Sequence, residues 1–422
     1  MQTAVGIADP FDPVQIGPIA LRNRFIRSGA NEMMSKATFP TRALMDFHRA
    51  YARGGVGMTT LAYLAVSPDG RTLPGQGMLS RESVPHYRAV TDAIHAEGAK
   101  ASAQITHGGS FCQIDDLSTP RAMSASGGID KMGVLKGRFF QRAMTRTDME
   151  MVTGEFARAA ELAEEAGFDA LEIHMGHGYL LNQFISPLSN FRKDGYGGST
   201  ANRARFPAEV LAAVKRATGG RLAVLAKINL TDAVPGGATV DDAIVTARAL
   251  EAAGADMLVL SAGRNIESTW AMFGSALPYD DLAAMQGGWL AKLQFAILKR
   301  SVPKLPPFHE NYLMEPALKL KAALGPTPMK LAYLGGIQSL AGARQAATEG
   351  FDAIALARAL IHDPALIAKW QSGATDGSGC TACNRCVAAM YGPSGTHCPE
   401  VGNALDPGLK DIFAGEKHAE PA

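Results

Sequence analysis

One short phrase recurs along this chain and constrains its fold more than any other feature. It reads EEAGFDALEIH at residues 164–174, LEAAGADMLVLS at 250–261 and AATEGFDAIALA at 346–357. In each copy a helical pattern ends at glycine, an acidic residue follows, and an apolar run typical of a buried strand begins. A unit that repeats in this way indicates alternating β and α elements, so the sequence predicts a parallel sheet covered by helices.

Eight segments are candidate strands, and several of them are short continuous apolar runs, as expected of buried parallel strands. They lie at residues 24–28, 57–64, 100–106, 170–174, 223–228, 257–261, 331–334 and 353–356. Helical patterns separate them, at residues 83–95, 147–166, 203–218, 240–253, 340–349 and 365–371. Eight such units favour a single (β/α)8 TIM barrel over a doubly wound sheet, and no Gly-x-Gly-x-x-Gly follows the first strand to indicate a dinucleotide-binding domain.

One of these helices carries a recognisable start signal. The helix at 147–166 opens with Thr147-x-x-Glu150. A threonine followed three residues later by an acidic side chain is typical of a capping box. We therefore expect Thr147 to cap this helix.

Composition sets broad limits on the class of protein. The chain has 422 residues, of which 47% are hydrophobic and 19% charged, so it can bury a sizeable core. Its net charge of +1 gives no indication of a nucleic-acid or membrane partner. The N-terminus has no signal-peptide pattern, and no apolar run is long enough to span a bilayer, which predicts a cytoplasmic protein. We expect two parts, a barrel at 1–372 and a cysteine-rich extension with a charged tail at 373–422.

Two segments interrupt the rhythm of strands and helices. Residues 111–144 are polar and rich in Gly, Ser and Arg, and residues 264–307 are long and mixed in composition. Both follow strand ends, where barrel enzymes build their active sites. We expect both segments to form lids or substrate walls.

The fourth predicted strand ends in residues suited to catalysis. His174 stands at its carboxyl end, and His177 and Tyr179 follow in the next loop. Two imidazoles can stabilise charge on one oxygen, and a tyrosine hydroxyl beside them can deliver a proton. Taken alone, the same residues could be packed histidines, or zinc ligands that lack the helical spacing of a zincin.

The flanking sequence is far more specific than the pair of histidines. The run HMGHGYLLNQFISPLSNFRKDGYGGSTANRARF resembles the old yellow enzyme family of FMN-dependent reductases, and in particular the branch that includes 2,4-dienoyl-CoA reductase and trimethylamine dehydrogenase. The segments FDPVQIGPIALRNRF and VSPDGRTLPGQ match the family's opening hairpin and the loop after its second strand. The resemblance extends over roughly residues 10 to 400.

This resemblance implies bound FMN and a role for each matching residue. His174 and His177 would bind the activating oxygen of a small-molecule substrate, and Tyr179 would be the proton donor. Lys227 stands where the family usually has arginine, and its charge would stabilise reduced flavin. The remaining residues expected to contact the flavin are Ser28, Gly29, Ala30, Ala62 and Gln104.

Two further loops match the family's phosphate-binding positions. YLGGI follows the seventh strand and contains Gly335 and Gly336, while ALARALIHDP follows the eighth and contains Ala357 and Arg358. Barrels often bind phosphate with the loops after these two strands. A tight turn and a solvated arginine are the plainer interpretation of the same residues.

Four of the five cysteines form the second strong motif, Cys380-x2-Cys383-x2-Cys386-x11-Cys398. Four thiolates at this spacing can bind an iron–sulfur cluster or a metal ion. The segment resembles the [4Fe–4S] segment of the trimethylamine dehydrogenase branch. A structural zinc site and a set of reduced thiols without metal are the alternatives.

Three functions are consistent with these features. The first is NAD(P)H-driven reduction of an activated C=C bond. The second is oxidation of an amine or a cyclic alcohol or ketone, with electrons leaving through the cluster to a carrier protein. The third is a barrel that binds a ligand without catalysis. The sequence also allows a homo-oligomer.

Overall fold

A computed structural model describes residues 9–134, 137–286, 289–302, 304–305 and 307–402 of the chain. The first eight residues and the charged tail after residue 402, both interpreted above from sequence, lie outside the described residues. Within the described part, no helix combines the length and apolar character needed to cross a membrane.

Eight parallel strands close into a barrel, which confirms the predicted (β/α)8 fold. The strands are β1 Phe25–Arg27, β2 Met58–Ala65, β3 Lys100–Thr106, β4 Ala170–Met175, β5 Ala223–Asn229, β6 Met257–Ser261, β7 Lys330–Tyr333 and β8 Ala353–Leu356. Around the barrel the order is β4-β5-β6-β7-β8-β1-β2-β3. Every residue of β2, β4, β5, β6 and β8 is buried, as expected for strands covered on both faces.

Helices lie between the strands and after the last strand. Their bounds are Arg42–Arg53, Val84–His95, Arg146–Glu165, Leu180–Ile185, Thr200–Thr218, Val240–Ala252, Met314–Leu324, Leu340–Thr348, Arg358–His362, Leu366–Ser372 and Arg385–Ala389, with a 3-10 turn at Pro68–Gly70. The predicted cap of the third helix was wrong by two residues. Thr145 and Asp148 form the capping box instead. Arg142 also donates to Asp148 at 2.6 Å, and this contact favours a helix start at Thr145 over one at Thr147.

A hairpin of Val14–Ile16 and Ile19–Leu21 closes the amino end of the barrel. Its apolar side chains pack in one cluster with small interior residues such as Ala170, Ala223 and Ala353. This plug leaves the carboxyl ends of the strands as the open end of the barrel. A second short hairpin, Ser35–Lys36 with Phe39–Pro40, follows β1.

The two interrupting segments have secondary structure of their own. The first contains a three-stranded sheet of Met123–Ser124, Gly128–Ile129 and Phe140–Ala143. The second contains helices Thr269–Phe273, Tyr279–Gln286 and Trp289–Ser301. Both follow the carboxyl ends of barrel strands, β3 and β6 respectively, which agrees with the predicted position of lids.

Candidate active site at the carboxyl end of the barrel

Three neighbouring strands bring polar side chains together inside the barrel. Gln104 on β3 pairs in register with Glu172 on β4, and Lys227 on β5 pairs with His174. All four side chains are buried. They follow the small apolar residues of the interior, such as Ala170 and Ala223, towards the carboxyl ends of the strands. The interior of the barrel thus changes from apolar to polar at the end where barrel enzymes carry out chemistry.

The structure brings His174 and His177 together, with ring centroids 4.9 Å apart. His177 has a backbone φ of +61°, and its N–H donates to Oδ1 of Asn229 at 3.1 Å. Its Nε2 lies 2.7 Å from the Ser261 hydroxyl. Burial, together with the charge of Lys227, lowers the pKa of His177 to about 3 and also lowers the pKa of His174. Both rings are therefore neutral near pH 7.

Tyr179 packs against this pair, with its ring centroid 4.5 Å from that of His174. Its hydroxyl donates to the hydroxyl of Tyr63 at 3.0 Å. Tyr63 also accepts from Nδ2 of Asn31 and Oγ1 of Thr72, each at 3.3 Å. Burial raises the pKa of Tyr179 well above its usual value, so the phenol stays protonated at neutral pH.

The loop after β1 lies close to the polar end of the barrel interior. A Cβ atom on Gly29 would be 2.9 Å from Nε2 of Gln104 and 3.2 Å from Cβ of Ala62, so a larger residue here would displace the Gln104 amide. Nζ of Lys227 donates to Oγ of Ser28 at 3.1 Å and to the carbonyl of Gly29 at 3.0 Å. Ser28, Gly29, Ala62, Gln104 and Lys227 therefore form one surface.

Ala30 is the next residue of this loop, and its carbonyl accepts from the buried Arg27 at 3.4 Å. A flat ring system with carbonyl and N–H groups on its edge suits such a set of backbone, amide and ammonium groups. The residues present thus fit the flavin that the sequence resemblance implies.

The loops after β7 and β8 are shaped by aromatic rings. Gly335 lies against the Tyr333 hydroxyl, and Gly336 has a φ of +76° and lies against the Tyr312 ring. The carbonyl of Ala357, directly after β8, accepts from the N–H of Ile361 at 3.0 Å. A side chain at either glycine would meet these rings, so the close packing of this loop depends on glycine.

Arg358 connects the loop after β8 to the cysteine-rich segment. Its guanidinium donates to Oδ1 of Asn384 at 2.6 Å and to the carbonyl of Phe273 at 2.7 Å. It also lies over the Phe308 ring, 5.2 Å from the centroid. The structure therefore assigns Arg358 a contact that its position in the sequence did not predict.

Cys380, Cys383, Cys386 and Cys398 line one cavity, together with Arg358 and His362. Sγ of Cys398 is 3.5 Å from Nδ1 of His362. Burial raises the pKa of Cys380 and that of Cys386, the latter to about 12. Among the described residues, no three His, Cys, Asp or Glu side chains are grouped so as to hold a metal ion. The donor set, four thiols around one space, is of the kind that binds an iron–sulfur cluster.

The cysteine-rich segment also reaches the loop after β1. Oγ1 of Thr396 donates to the carbonyl of Asn31 at 2.6 Å, and the N–H of Thr396 donates to the carbonyl of Glu32 at 2.8 Å. Since Asn31 in turn donates to Tyr63, hydrogen bonds run from this segment to the tyrosine pair.

Sequence reasoning missed Tyr63, Glu172 and Thr396. Glu172 had a usable signal, because it lies two residues before His174 and alternation along a strand places both on one face. Tyr63 lies within a fully buried strand and Thr396 in an irregular segment, where no periodic pattern marks one residue over another.

Known proteins of similar sequence are flavin oxidoreductases or related reductases. A model of the NADH:flavin oxidoreductase / NADH oxidase family matches residues 9–272. The chain is 38% identical to the 4,4'-dithiodibutanoate disulfide reductase of Rhodococcus erythropolis over 393 residues, which cover 92% of this chain and 94% of that one. It is 30% identical to the NADH-dependent flavin oxidoreductase nadA of Aspergillus parasiticus, over 82% of this chain and 74% of that one.

Solved structures show the same barrel. The 2-naphthoyl-CoA reductase complex with 2-naphthoyl-CoA has a TM-score of 0.76 at 22% identity, and the match covers 96% of this chain and 58% of that one. Morphinone reductase has a TM-score of 0.68 at 20% identity, over 90% of this chain and 94% of that one. At such identities the likeness establishes the fold alone. The family match and the near full-length relative go further: this chain is an old yellow enzyme-like NAD(P)H:flavin oxidoreductase and belongs to the NADH:flavin oxidoreductase / NADH oxidase family.

Proposed function

We propose that this enzyme reduces an activated carbon–carbon double bond of a small molecule with electrons from NAD(P)H. The observation that carries the proposal is the cluster of His174, His177 and Tyr179 beside the surface formed by Gln104 and Lys227. In this proposal FMN lies on that surface, and when bound it supplies hydride chemistry. The balanced reaction consumes one NAD(P)H and one proton for each double bond reduced.

The two histidines are suited to bind a carbonyl oxygen. The N–H of Gly176 donates to Nδ1 of His174 at 3.3 Å, which leaves the proton of this neutral ring on Nε2. A neutral N–H donor polarises a substrate oxygen without transferring its proton to it. In this proposal His174 and His177 together orient the substrate and stabilise negative charge on that oxygen.

Tyr179 is suited to supply the proton. Its raised pKa keeps the phenol protonated at neutral pH, and its hydroxyl has a fixed neighbour in Tyr63. A positioned acid of this kind typically contributes about 10²- to 10⁴-fold to the rate. We assign Tyr179 the protonation of the α-carbon.

Phosphate binding belongs to the same proposal. Gly335, Gly336, Ala357 and Arg358 lie on the two loops that barrels often use for this purpose. Backbone groups of the two glycines would approach the phosphate. Arg358 would contribute charge while remaining bound to Asn384.

Anaerobic half-reactions test this function. The purified flavoprotein is reduced with one equivalent of NADH or NADPH and then mixed with a cyclic enone. Reoxidation of the flavin together with the saturated product is the expected result. An enzyme that is reduced by NAD(P)H but not reoxidised by enones would contradict the proposal.

Reduction of an organic disulfide is a second candidate. It is favoured by the 38% identity to a 4,4'-dithiodibutanoate disulfide reductase over nearly the whole chain. The balanced reaction consumes one NAD(P)H and one proton for each disulfide and yields two thiols. The same reduced enzyme is mixed with 4,4'-dithiodibutanoate, and two thiols per flavin reoxidised would favour this substrate class over enones.

The cysteine-rich segment remains a separate part of the proposal. We propose that residues 373–422 are an extension of the barrel at 1–372, and that its cysteines hold a [4Fe–4S] cluster. Electron transfer from such a cluster to a carrier protein, with the flavin oxidising an amine or cyclic alcohol, stays a prediction. Rapid flavin reduction by such substrates without NAD(P)H would favour it.

A further inference from the structure

A buried carboxylate lies between the two side chains that are expected to contact the flavin. Oε1 of Glu172 accepts from Nε2 of Gln104 at 2.5 Å and lies 2.9 Å from Nζ of Lys227. All three residues are 1% exposed. A carboxylate with no access to water persists in a fold only when it is paired and hydrogen-bonded. Here both partners belong to the proposed cofactor surface.

The contact between Glu172 and Gln104 fixes the orientation of the amide. An ionised carboxylate only accepts hydrogen bonds, so the amide nitrogen of Gln104 must face Glu172. The amide carbonyl therefore faces away from Glu172. A Cβ atom on residue 29 would lie 2.9 Å from the same nitrogen, so glycine at this position leaves room for the amide.

The contact between Glu172 and Lys227 fixes a charge. Nζ of Lys227 has three N–H groups, and its partners are Glu172, the Ser28 hydroxyl and the Gly29 carbonyl. A point charge on a flexible stem needs such partners to hold one position, since lysine lacks the planar fork of arginine. The negative charge of Glu172 also offsets part of the positive charge that faces the cofactor.

We propose that Glu172 is a positioning residue for the flavin: it orients the amide of Gln104 and anchors the ammonium of Lys227, and thereby sets the electrostatic environment of the cofactor. This inference rests on the proposed flavin site and deepens it. Glu172 itself does not touch the substrate, and it acts through its two neighbours.

The midpoint potential of the bound flavin is the readout that distinguishes this role from a structural one. Glu172→Gln removes one buried negative charge and keeps the shape of the side chain. Reduced FMN is anionic, so loss of the nearby negative charge should stabilise it in the site by about tenfold relative to oxidised FMN. For a two-electron couple this is a rise of ~30 mV in the midpoint potential.

Asp256→Asn is the matched control. Asp256 precedes β6 at the opposite end of the barrel, where it pairs with Lys215 at 2.5 Å. This variant also breaks a carboxylate–lysine pair, so it should lower the free energy of unfolding and leave the potential of the flavin unchanged. If the midpoint potential of Glu172→Gln equals that of Asp256→Asn, the inference about Glu172 is wrong, while the proposed function is unaffected.

A second variant covers the case in which Glu172→Gln does not fold. Glu172→Asp keeps the charge but shortens the side chain, so it should lose one of its two contacts. We expect FMN to bind this variant roughly fivefold more weakly, because one hydrogen bond is lost. Binding of FMN with the affinity of the wild type would overturn the positioning role of Glu172. Wild-type protein that takes up no FMN would overturn the proposed function and this inference together.

Discussion

The hydroxyl of Tyr179 donates a hydrogen bond to the hydroxyl of Tyr63, 3.0 Å away. The two phenols come from different parts of the barrel, since Tyr63 lies on β2 and Tyr179 follows β4. Burial raises the pKa of both. The proposed proton donor is thus held by a second phenol that is also protonated at neutral pH, and Asn31 and Thr72 in turn hold that phenol.

Removing the hydroxyl of Tyr179 should separate the two half-reactions. In Tyr179→Phe we expect reoxidation of the flavin by an enone to slow by about 100-fold, because the positioned acid is lost. Reduction of the flavin by NAD(P)H should stay within about threefold, since that step needs no proton from Tyr179. Stopped-flow absorbance measures both rates.

Tyr196→Phe is the control for this prediction, because Tyr196 bonds to Glu209 outside the proposed site. Its rates should equal those of the wild type. Equal slowing of both half-reactions in Tyr179→Phe would contradict the proton-donor role.

The contact between the cysteine-rich segment and the tyrosine pair can be tested at Thr396. Thr396→Val keeps the shape but removes the hydrogen bond to the Asn31 carbonyl, so the unfolding free energy should fall by about 1 kcal/mol. Loosening of Asn31 should also slow enone reduction, by roughly threefold.

Thr246→Val is its matched control. Thr246 is a buried threonine that donates to the carbonyl of Asp242 within a helix on the outside of the barrel. Chemical denaturation and turnover are measured on both variants. If both lose stability but neither loses activity, the segment has no influence on the tyrosine pair.

Burial of His177 predicts a loss of stability in acid. Its pKa is about 3 in the folded protein against 6.5 for the free side chain, so only the unfolded chain takes up a proton as the pH falls through 6.5. The free energy of unfolding is therefore not reduced by this residue above pH 6.5, and it falls as the pH is lowered towards 3. Between pH 7 and pH 5 the expected fall is about 2 kcal/mol.

Urea unfolding of the wild type and of His177→Asn at these two pH values measures this contribution. The variant has no imidazole to protonate, so its stability should depend less on pH. The same pH dependence in both proteins would show that His177 does not titrate as described.

The cysteine-rich segment predicts a metal content. Anaerobically purified protein should contain about four iron and four sulfide per chain, the composition of a [4Fe–4S] cluster. Cys386→Ser should lose the iron. Cys112→Ser should retain it, because Cys112 lies apart in the first lid segment.

Metal analysis and the absorption spectrum measure both variants. Zinc in place of iron would support a structural site. Wild-type protein without any metal would favour reduced thiols that hold no cofactor.

The sequence predicted the barrel well, because its signal is repeated. Several strands are continuous apolar runs next to helical patterns, and each prediction falls within a few residues of the observed strand. Local capping was harder to predict. Thr145 and Thr147 begin overlapping patterns, and a side chain outside the helix, Arg142, selects between them.

The candidate site was predicted in part, and the reason lies in how its residues are spaced along the chain. His174, His177 and Tyr179 are close in sequence, so a motif marks them. Tyr63 lies on β2, which the closed barrel brings near the loop after β4. Thr396 lies in an irregular segment that packs against the loop after β1. Such contacts join residues far apart in the chain, and a single sequence contains no pattern that pairs them.

The loop after β1 has consequences for synthesis of the protein. The N–H of Ser28 donates to the carbonyl of Leu356, and the carbonyl of Glu32 accepts from the N–H of Thr396. A ribosome makes the first members of these pairs more than 300 residues before the last. The loop after β1 is therefore made long before its two hydrogen-bonding partners. The second of these bonds can form only after residue 396 has left the exit tunnel.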